Sequence, residues 1–377
     1  MVMKYRRLGD KEVSALGFGC MRLPVVDGDM SKINESEATG MLHYAIEQGV
    51  NYVDTAWPYH QGASEPFVGR ALQNGWREKV YLATKLPVWL VENLDDCDRY
   101  LDQQLEKLQT DHIDFYLLHA LDNGRWPKLL EIDIFRFVEK AIEDGRIGCI
   151  GFSFHDDLDQ FKPIIDAYDW TFCQIQYNYM DIEFQAGTEG LHYAKSKGID
   201  VIAMEPLRGG KLTKQVPESI QELLDESGID HTPAELALRW VWNHPEISCV
   251  LSGMSTMEHV VENCRIASKA EPNSMQAIEL DIIGKIRELY RERTSVPCTD
   301  CRYCLPCPEG VNIPQIFTIY NDLHIYGDEK WAKGFYRMFV KAENKADMCV
   351  ECGQCEEQCP QEIKVISELK KAHEALS

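Results

Sequence analysis

The sequence lacks the features of membrane, secreted and nucleic-acid-binding proteins. No apolar run is long enough to span a bilayer, and the first residues show neither the apolar core nor the cleavage site of a secretory signal. Basic residues are scarce, because 39 Lys and Arg stand against 61 Asp and Glu and leave a net charge of −22. We therefore expect a cytoplasmic protein with no nucleic-acid partner and no membrane partner.

Cysteine is sparse over most of the chain and concentrated near its end. Eight of the 14 cysteines lie between Cys298 and Cys359, and the other six are scattered over the preceding residues. In a reducing compartment, clustered cysteines are more often metal ligands than disulfides. The 377 residues are enough for a large barrel and a second, smaller domain of different chemistry.

Before the cysteines, short apolar runs alternate with helical patterns. An opening ribbon turns at Gly9-Asp10, and the runs after it have the continuous apolar character of parallel strands covered on both faces. The predicted strands are Ala15–Gly19, Tyr52–Thr55, Val80–Lys85, Ile113–His119, Ile147–Phe152, Phe172–Gln176, Asp200–Met204 and Ser248–Ser252. The predicted helices include Glu35–Gln48, Glu92–Leu108, Glu131–Asp144 and Pro233–Asn243.

Eight strand–helix repeats predict an α/β fold, the (β/α)8 TIM barrel, which usually takes about 250 residues. An open doubly wound sheet is the alternative. It is less favoured because Gly17-Phe18-Gly19 lacks the third glycine of a dinucleotide-binding fingerprint.

Four reactive residues lie at or just after the ends of neighbouring predicted strands: Asp54, Tyr59, Lys85 and His119. In a barrel of this kind, such positions share one rim and form the active site. A Lys ammonium lowers the pKa of a nearby tyrosine, an Asp holds the Lys in place, and a His can orient a carbonyl. The set suits protonation of a carbonyl oxygen. Each residue taken singly also has an ordinary structural explanation.

The order of these residues resembles the aldo-keto reductase family. The resemblance covers about residues 3–266 and is carried by Asp54-Thr55-Ala56-x-x-Tyr59, Ser64-Glu65, Gly69-x-Ala71-Leu72, Lys85 and Leu117-Leu118-His119. It implies a catalytic set of Asp54, Tyr59, Lys85 and His119, with Tyr59 as the general acid. It also implies reduction of a small-molecule aldehyde or ketone by NAD(P)H, bound at the barrel mouth without a glycine fingerprint.

The same resemblance implies a set of cofactor-binding residues: Ser153, Gln174, Met204, Pro206, Leu207, Gly253, His259, Glu262 and Asn263. Phe154 stands where the family has an amide, and Met204 stands where an aromatic ring usually stacks on the nicotinamide. Gly253 and His259 occupy positions where Lys and Arg are common, and neither grips a 2′-phosphate as a guanidinium does. We therefore expect a weaker preference for NADPH than is usual in the family.

The cysteines form two runs, Cys298-x2-Cys301-x2-Cys304-x2-Cys307-Pro and Cys349-x2-Cys352-x2-Cys355-x3-Cys359-Pro. The second run matches the bacterial ferredoxin pattern for [4Fe–4S] clusters, and the first is one residue shorter in its last gap. The flanks repeat as well, with Val311 and Ile313 spaced from Cys307 as Ile363 and Val365 are from Cys359. All eight cysteines are predicted metal ligands for two [4Fe–4S] clusters, or one at the minimum.

Zinc is the alternative for these cysteines, although six thiols in two closely spaced triplets exceed what zinc knuckles use. Two predicted helices between the runs, Pro314–Tyr326 and Glu329–Asn344, favour an α-helical ferredoxin-like domain. The expected organisation is a barrel over residues 1–270, a linking helix over 271–295 and an iron–sulfur domain over 296–377.

Hydride transfer moves two electrons, whereas a cubane cluster moves one, and the usual converter between them is a flavin. No flavin motif is visible, although a barrel mouth can hold one. The leading hypothesis is an NAD(P)H-dependent carbonyl reductase whose clusters are structural, redox-sensing or an electron port to a redox partner protein. The alternative is an electron-transfer iron–sulfur protein whose barrel binds a flavin or no nicotinamide cofactor.

Overall fold

The computed structural model describes residues 2–214, 216–298, 303–359 and 361–377. The chain divides into two compact units. Unit 1 contains the residues up to Leu212 and His231–Ala277, and unit 2 contains Thr213–Asp230 and Ile278–Ser377. Boundaries drawn along the sequence differ from this division chiefly at Thr213–Asp230, which precedes the last barrel strand but groups with the C-terminal residues. Among the described residues, no helix has the length and apolar character needed to cross a membrane.

Unit 1 opens with an antiparallel hairpin of β1 (Tyr5–Leu8) and β2 (Lys11–Ser14) and continues as a closed barrel of eight parallel strands. The barrel strands are β3 (Leu16–Gly19), β4 (Tyr52–Asp54), β5 (Tyr81–Leu86), β6 (Ile113–Leu121), β7 (Ile147–Phe154), β8 (Phe172–Gln176), β9 (Asp200–Met204) and β10 (Ile247–Ser252). Neighbouring strands pair in chain order, and β10 closes the ring on β3. The predicted TIM barrel is confirmed.

Within the described residues the α-helices are, in chain order, α1 (Glu35–Glu47), α2 (Ser64–Ala71), α3 (Leu94–Leu108), α4 (Arg125–Glu131), α5 (Ile134–Glu143), α6 (Leu158–Asp166), α7 (Gly187–Ser196), α8 (Lys211–Lys214), α9 (Glu218–Ser227), α10 (Pro233–Trp242), α11 (Met257–Ala267), α12 (Ala277–Glu292), α13 (Ile313–Tyr326), α14 (Glu329–Phe339), α15 (Gln354–Glu357) and α16 (Val365–Leu376). Side-chain caps begin several of them. Asn34 accepts from the N–H of Glu37 at the start of α1, and Asn93 accepts from the N–H of Asp96 at the start of α3.

The opening hairpin packs onto the barrel interior. Leu8 and Val13 share one buried cluster with inward-facing strand residues, among them Phe115, Phe172 and Cys249. Because the hairpin covers one end of the barrel, the carboxyl ends of the strands are left to form the functional rim.

Strand β6 carries an irregularity at that rim. The register between β6 and β7 shifts between Leu118 and Leu121, and Ala120 has a φ of 53°. A positive φ is strained for a residue with a Cβ atom, and such strain is concentrated at functional sites. Both strands run about two residues beyond their predicted ends.

Unit 2 is built around its own helical core. Residues of α13, α14 and α16 form one buried cluster, which also contains Val311 and Ile363 from the segments before α13 and α16. The predicted helix over 329–344 ends at Phe339, because Val340 takes an extended conformation that buries its side chain.

Candidate active site

The four predicted catalytic side chains meet at the carboxyl ends of β4, β5 and β6. Asp54 is the last residue of β4, Lys85 lies next to the end of β5, and His119 lies near the end of β6. Tyr59 follows in the loop after β4. Parallel pairing of the three strands places these residues on one rim.

Lys85 is the centre of the site. Its Nζ donates to both carboxylate oxygens of Asp54, at 2.7 and 2.8 Å, and to the carbonyl oxygen of Thr55 at 2.8 Å. A longer contact of 3.4 Å joins it to the hydroxyl of Tyr59. The ammonium is therefore fixed between a buried carboxylate and the tyrosine. Burial alone lowers the pKa of Lys85, but the charge and hydrogen bonds of Asp54, together with Tyr59, outweigh it, so the net pKa is raised and Lys85 stays charged.

The loop that presents Tyr59 is held by its neighbour His60. His60 and Gln61 have φ values of 52° and 54°, which end the helical turn that starts at Tyr59. The buried His60 ring accepts from the N–H of Leu23 through Nε2 and contacts the carbonyl oxygen of Met30 through Nδ1. This ring stabilises the left-handed backbone next to the proposed acid.

Burial changes the pKa of Tyr59 in the direction opposite to that expected from the sequence. Lys85 lowers the pKa of Tyr59, but loss of solvation has the larger effect, and the net pKa is raised above its ordinary value. Tyr59 is therefore a neutral phenol at physiological pH and has a proton to donate.

His119 is a neutral imidazole with a free nitrogen. Burial, followed by the charge of Lys85, holds the pKa of His119 well below its ordinary value. Its Nδ1 is buried and has no hydrogen-bond partner among the described residues. The His119 ring lies 6.2 Å from that of Tyr59 and 5.2 Å from that of Trp89. A buried polar atom without a protein partner at such a rim is suited to a hydrogen bond with a substrate.

Three predicted cofactor residues lie side by side on the next strands. Ser153 of β7 pairs in register with Gln174 of β8, and the Gln174 amide reaches Met204 of β9, with 3.6 Å between Nε2 and the sulfur. The Oε1 atom of Gln174 is buried and has no partner among the described residues. An unpaired amide oxygen fits the amino group of a nicotinamide carboxamide.

The other predicted cofactor residues lie after β9 and β10. Pro206 and Leu207 follow β9, and Gly253 follows β10. On α11, Asn263 donates to the Ser252 hydroxyl at 2.9 Å, Glu262 accepts from the Thr232 hydroxyl at 2.8 Å, and His259 accepts from the N–H of Ser255.

The structure also reveals an arginine that the sequence analysis missed. Arg22 lies in the turn after β3. Its aliphatic stem lies 3.0–3.2 Å from where a Cβ atom at Gly253 would be, and its Nη2 lies 3.2 Å from where a Cβ atom at Gly209 would be. Gly253 and Gly209 thus leave room for this side chain between two loops. Nothing in the sequence near Arg22 signals this approach, because the residues it meets are more than 180 positions away.

A second missed arginine, Arg125, lies beside the rim that carries the predicted catalytic residues. Its Nη1 donates to the carbonyl oxygen of Ala120 at 2.6 Å, and its guanidinium lies 5.7 Å from the Trp89 ring. The Trp89 side chain is 41% exposed, whereas Trp126 of α4 is buried against Phe135 and Trp170.

In unit 2, five of the predicted ligands surround one cavity of about 190 Å³. They are Cys304, Cys307, Cys349, Cys352 and Cys355. Cys298 and Cys359 pack against the adjacent apolar core, and Cys301 lies outside the described residues. Convergence of thiols from both runs on one apolar-lined cavity fits an iron–sulfur group.

Among the described residues, no three His, Cys, Asp or Glu side chains lie close enough to hold a single metal ion. A cubane does not require such an arrangement, since its four thiolates each bind a different iron atom.

The internal repeat of the cysteine region is visible in three dimensions. Helix α13 begins at Ile313 and α16 begins at Val365, each at the same offset from the last cysteine of its run. The two helices pack against each other in one core. The repeat seen in the sequence therefore corresponds to two related loop–helix units.

Comparisons with known proteins find matches for both the barrel and the cysteine-rich segment. Residues 15–284 match the family model of the aldo/keto reductase family, and residues 297–364 match that of a 4Fe-4S dicluster domain. The L-galactose dehydrogenase of Arabidopsis thaliana is 29% identical over 315 residues, which cover 78% of this chain and 97% of that protein.

Two solved structures are similar to this chain over about three quarters of its length. The holo form of the aldo-keto reductase AKR11C1 from Bacillus halodurans is 29% identical, with a TM-score of 0.64, and the match covers 75% of this chain and 96% of that one. An aldo-keto reductase from Klebsiella pneumoniae in complex with NADPH is 25% identical, with a TM-score of 0.62 and coverage of 76% and 96%.

Proposed function

Because the chain belongs to the aldo/keto reductase family and carries a C-terminal 4Fe-4S dicluster domain, it is an NAD(P)H-dependent oxidoreductase, and we propose that it reduces a small-molecule carbonyl with Tyr59 as the general acid. The observation that supports this role is the geometry of Lys85, whose Nζ contacts both Asp54 and the Tyr59 hydroxyl. NAD(P)H, when bound, supplies a hydride to the carbonyl carbon. Tyr59 donates its proton to the carbonyl oxygen, and solvent restores that proton.

Each of the other catalytic residues has a distinct task in this proposal. Neutral His119 donates a hydrogen bond to the carbonyl oxygen and orients the substrate without competing as an acid. Lys85 stabilises the phenolate that Tyr59 becomes, and Asp54 keeps Lys85 charged and in place. The buried setting strengthens each interaction because water does not screen it.

We propose that the nicotinamide carboxamide lies against Ser153 and Gln174, whose unpaired Oε1 accepts from its amino group. Met204 packs on the ring, Pro206 and Leu207 border it, and Gly253, His259, Glu262 and Asn263 form the adenosine end. The Arg22 guanidinium, which lies next to Gly209, adds a cation for a cofactor phosphate. The NADPH complex of the Klebsiella pneumoniae relative supports a dinucleotide at this mouth.

The absence of basic residues at positions 253 and 259 favours a weak discrimination between the two dinucleotides. We expect dissociation constants for NADH and NADPH that differ by less than about tenfold, because no guanidinium at these positions grips the 2′-phosphate. Fluorescence titration of each dinucleotide measures this ratio. A hundredfold preference for NADPH would contradict the proposal and point to Arg22 as the substitute cation.

For unit 2 we propose two [4Fe–4S] clusters bound by the eight cysteines of the two runs, Cys298, Cys301, Cys304, Cys307, Cys349, Cys352, Cys355 and Cys359. Such clusters carry single electrons or stabilise a fold. The cavity that five of these thiols surround supports this assignment. A redox partner protein and a reducing, cytoplasmic compartment belong to the same proposal.

The test of the reductase proposal is Tyr59→Phe, assayed as oxidation of NADPH and NADH by a panel of aldehydes and ketones. Loss of the acid should lower kcat/KM by about 10²- to 10⁴-fold and leave dinucleotide binding unchanged. Tyr193→Phe, which removes an exposed hydroxyl bonded to Asp166, is the matched control. Turnover that survives Tyr59→Phe would overturn the mechanism, and a purified protein containing a flavin would favour the electron-transfer alternative.

A further inference from the structure

The guanidinium of Arg125 is oriented beside the catalytic rim. Its Nη1 donates to the Ala120 carbonyl oxygen and lies 3.3 Å from Asp122 Oδ2. Among the described residues, its Nε and Nη2 make no hydrogen bond to protein. Since 37% of the side chain is exposed, one edge of the planar fork can receive a ligand. A fixed guanidinium edge is suited to bidentate binding of a carboxylate.

Arg125 shares an aromatic neighbour with the catalytic histidine. The Trp89 ring lies 5.2 Å from the His119 ring and 5.7 Å from the Arg125 guanidinium. Ala120, which Arg125 holds, is the residue directly after His119. The guanidinium and the imidazole therefore line the same part of the barrel mouth.

The charged groups around His119 are basic, although the whole protein has a net charge of −22. The groups that act on His119 are Lys85, His155 and Arg125. Lys85 is paired with Asp54. His155 is exposed to solvent, and partial loss of solvation and then the charge of Arg125 lower its pKa, so its ring is neutral near pH 7. Of these three groups, Arg125 supplies the fixed positive charge that a substrate can meet.

Asp122 orients Arg125 without fully neutralising it. Its Oδ1 accepts from the backbone N–H groups of Gly124 at 2.9 Å and Arg125 at 2.8 Å, and these bonds spread its negative charge. The aspartate therefore fixes the loop and leaves part of the guanidinium charge available.

We propose that this site selects carbonyl substrates bearing a carboxylate a few bonds from the reacting carbon, and that Arg125 is the residue that binds this carboxylate. The inference rests on the proposed reductase function and adds its substrate class. The reaction itself is unchanged: a hydride and a proton convert the carbonyl to an alcohol, and the carboxylate is neither formed nor consumed.

The experiment compares short ω-carboxy aldehydes with their methyl esters in the full-length protein. The wild type should show the higher kcat/KM for the acid, mainly through a lower KM. Arg125→Gln should lower the acid-to-ester ratio of kcat/KM by on the order of 10- to 100-fold. Arg125→Lys, which keeps the charge and loses the fork, should give an intermediate ratio.

The matched control is Arg99→Gln, since Arg99 also pairs with an aspartate three residues before it and lies over an aromatic ring, yet is on the exposed surface of α3. It should leave the ratio unchanged. Equal turnover of acid and ester by the wild type, or an equal loss of both in Arg125→Gln, would overturn the inference and show a purely structural role for Arg125.

A binding experiment distinguishes failure of this inference from failure of the reductase proposal. Titration of the wild type and Arg125→Gln with a short aliphatic carboxylate and its amide, followed by tryptophan fluorescence, requires no turnover. Carboxylate binding that is lost in Arg125→Gln supports the site even if no aldehyde is reduced, in which case the reductase proposal alone fails. Carboxylate binding that is independent of Arg125 overturns the inference.

Discussion

At the scale of single residues, the pH dependence of the site follows from two opposite pKa shifts. The pKa of Tyr59 is raised above its ordinary value of about 10, and that of His119 is held well below its ordinary value of about 6.5. Over the range between these two values, Tyr59 keeps its proton and His119 stays neutral. Neither group changes its protonation state near neutrality.

We therefore expect kcat/KM for carbonyl reduction to be constant from about pH 6.5 to 9 and to fall only on the alkaline side, where Tyr59 loses its proton. A pH–rate profile with a saturating dinucleotide measures this. An acidic limb with an apparent pKa near that of a free histidine would show that His119 titrates during turnover.

The ion pair of Lys85 and Asp54 makes a prediction about stability. Both side chains are buried, and Lys85→Met leaves the Asp54 carboxylate without its cation. The free energy of unfolding should fall by about 3–5 kcal/mol, and less in the double variant Asp54→Asn/Lys85→Met, which removes both charges. Urea unfolding followed by tryptophan fluorescence reports on unit 1, which contains seven of the eight tryptophans. A double variant no more stable than the single one would contradict this account.

The four catalytic candidates could be predicted from the sequence because each lies at or just after the end of a recognisable strand, and parallel strands end on one rim. The direction of the Tyr59 pKa shift could not, since it depends on how much solvation is lost around one hydroxyl. Arg22 and Arg125 were missed for a related reason. Their positions depend on loop conformations, including the left-handed Ala120, that no local pattern encodes.

At the scale of elements, the contact between α2 and α3 depends on a glycine. A Cβ at Gly69 would clash with the backbone oxygen of Lys107, so α2 and α3 can approach this closely only without a side chain there. Around this contact, the buried Glu65 of α2 accepts from the Thr84 hydroxyl and the Gln104 amide. The Ser64-Glu65 and Gly69 pattern is thus explained by packing next to the site.

Gly69→Ala should destabilise the protein by about 1–3 kcal/mol, because the gain in helix propensity is smaller than the cost of separating two backbones. Gly40→Ala is the matched control: Gly40 is also helical, and a Cβ there would meet nothing within 4 Å. That variant should stabilise by about 0.5–1 kcal/mol. Unfolding midpoints check both, and a stabilised Gly69→Ala would show that the helices move apart at no cost.

The predicted strands coincide with the observed ones within about two residues, since a continuous apolar run must be buried on both faces. Helix ends were less predictable. The helix that starts at Glu329 ends at Phe339 rather than Asn344, because burial of Val340 in the core of unit 2 outweighs the helical pattern beyond it. Such a contact between distant residues leaves no local signal.

At the scale of the whole molecule, the cysteines of the two units differ in how deeply their thiols are buried. In unit 1, Cys20, Cys97, Cys173, Cys249 and Cys264 are buried, and burial raises the pKa of each thiol. They are small core residues and are poorly reactive. In unit 2, the described cysteines are half-buried or exposed, and five of them line the cavity, where they are suited to ligation.

Purified without oxygen, the protein should contain about eight iron and eight sulfide per chain if both clusters form. Cys355→Ser should lower this content by about half or more, whereas Cys149→Ser, which changes a half-buried cysteine of the barrel, should leave it unchanged. Iron and sulfide analysis checks both variants. Stoichiometric zinc without sulfide would replace the cluster assignment by a zinc site.

The strained Ala120 has a consequence for how this protein can evolve. Its N–H donates to the Ser153 hydroxyl at 2.7 Å, and its carbonyl oxygen accepts from Arg125, so one left-handed residue joins a proposed cofactor contact to a proposed substrate contact. Substitutions at positions 120, 125 and 153 should therefore be non-additive. A lineage that changes its substrate at residue 125 must do so in an order that keeps residue 120 supported, and this epistasis restricts the accessible routes to new specificities.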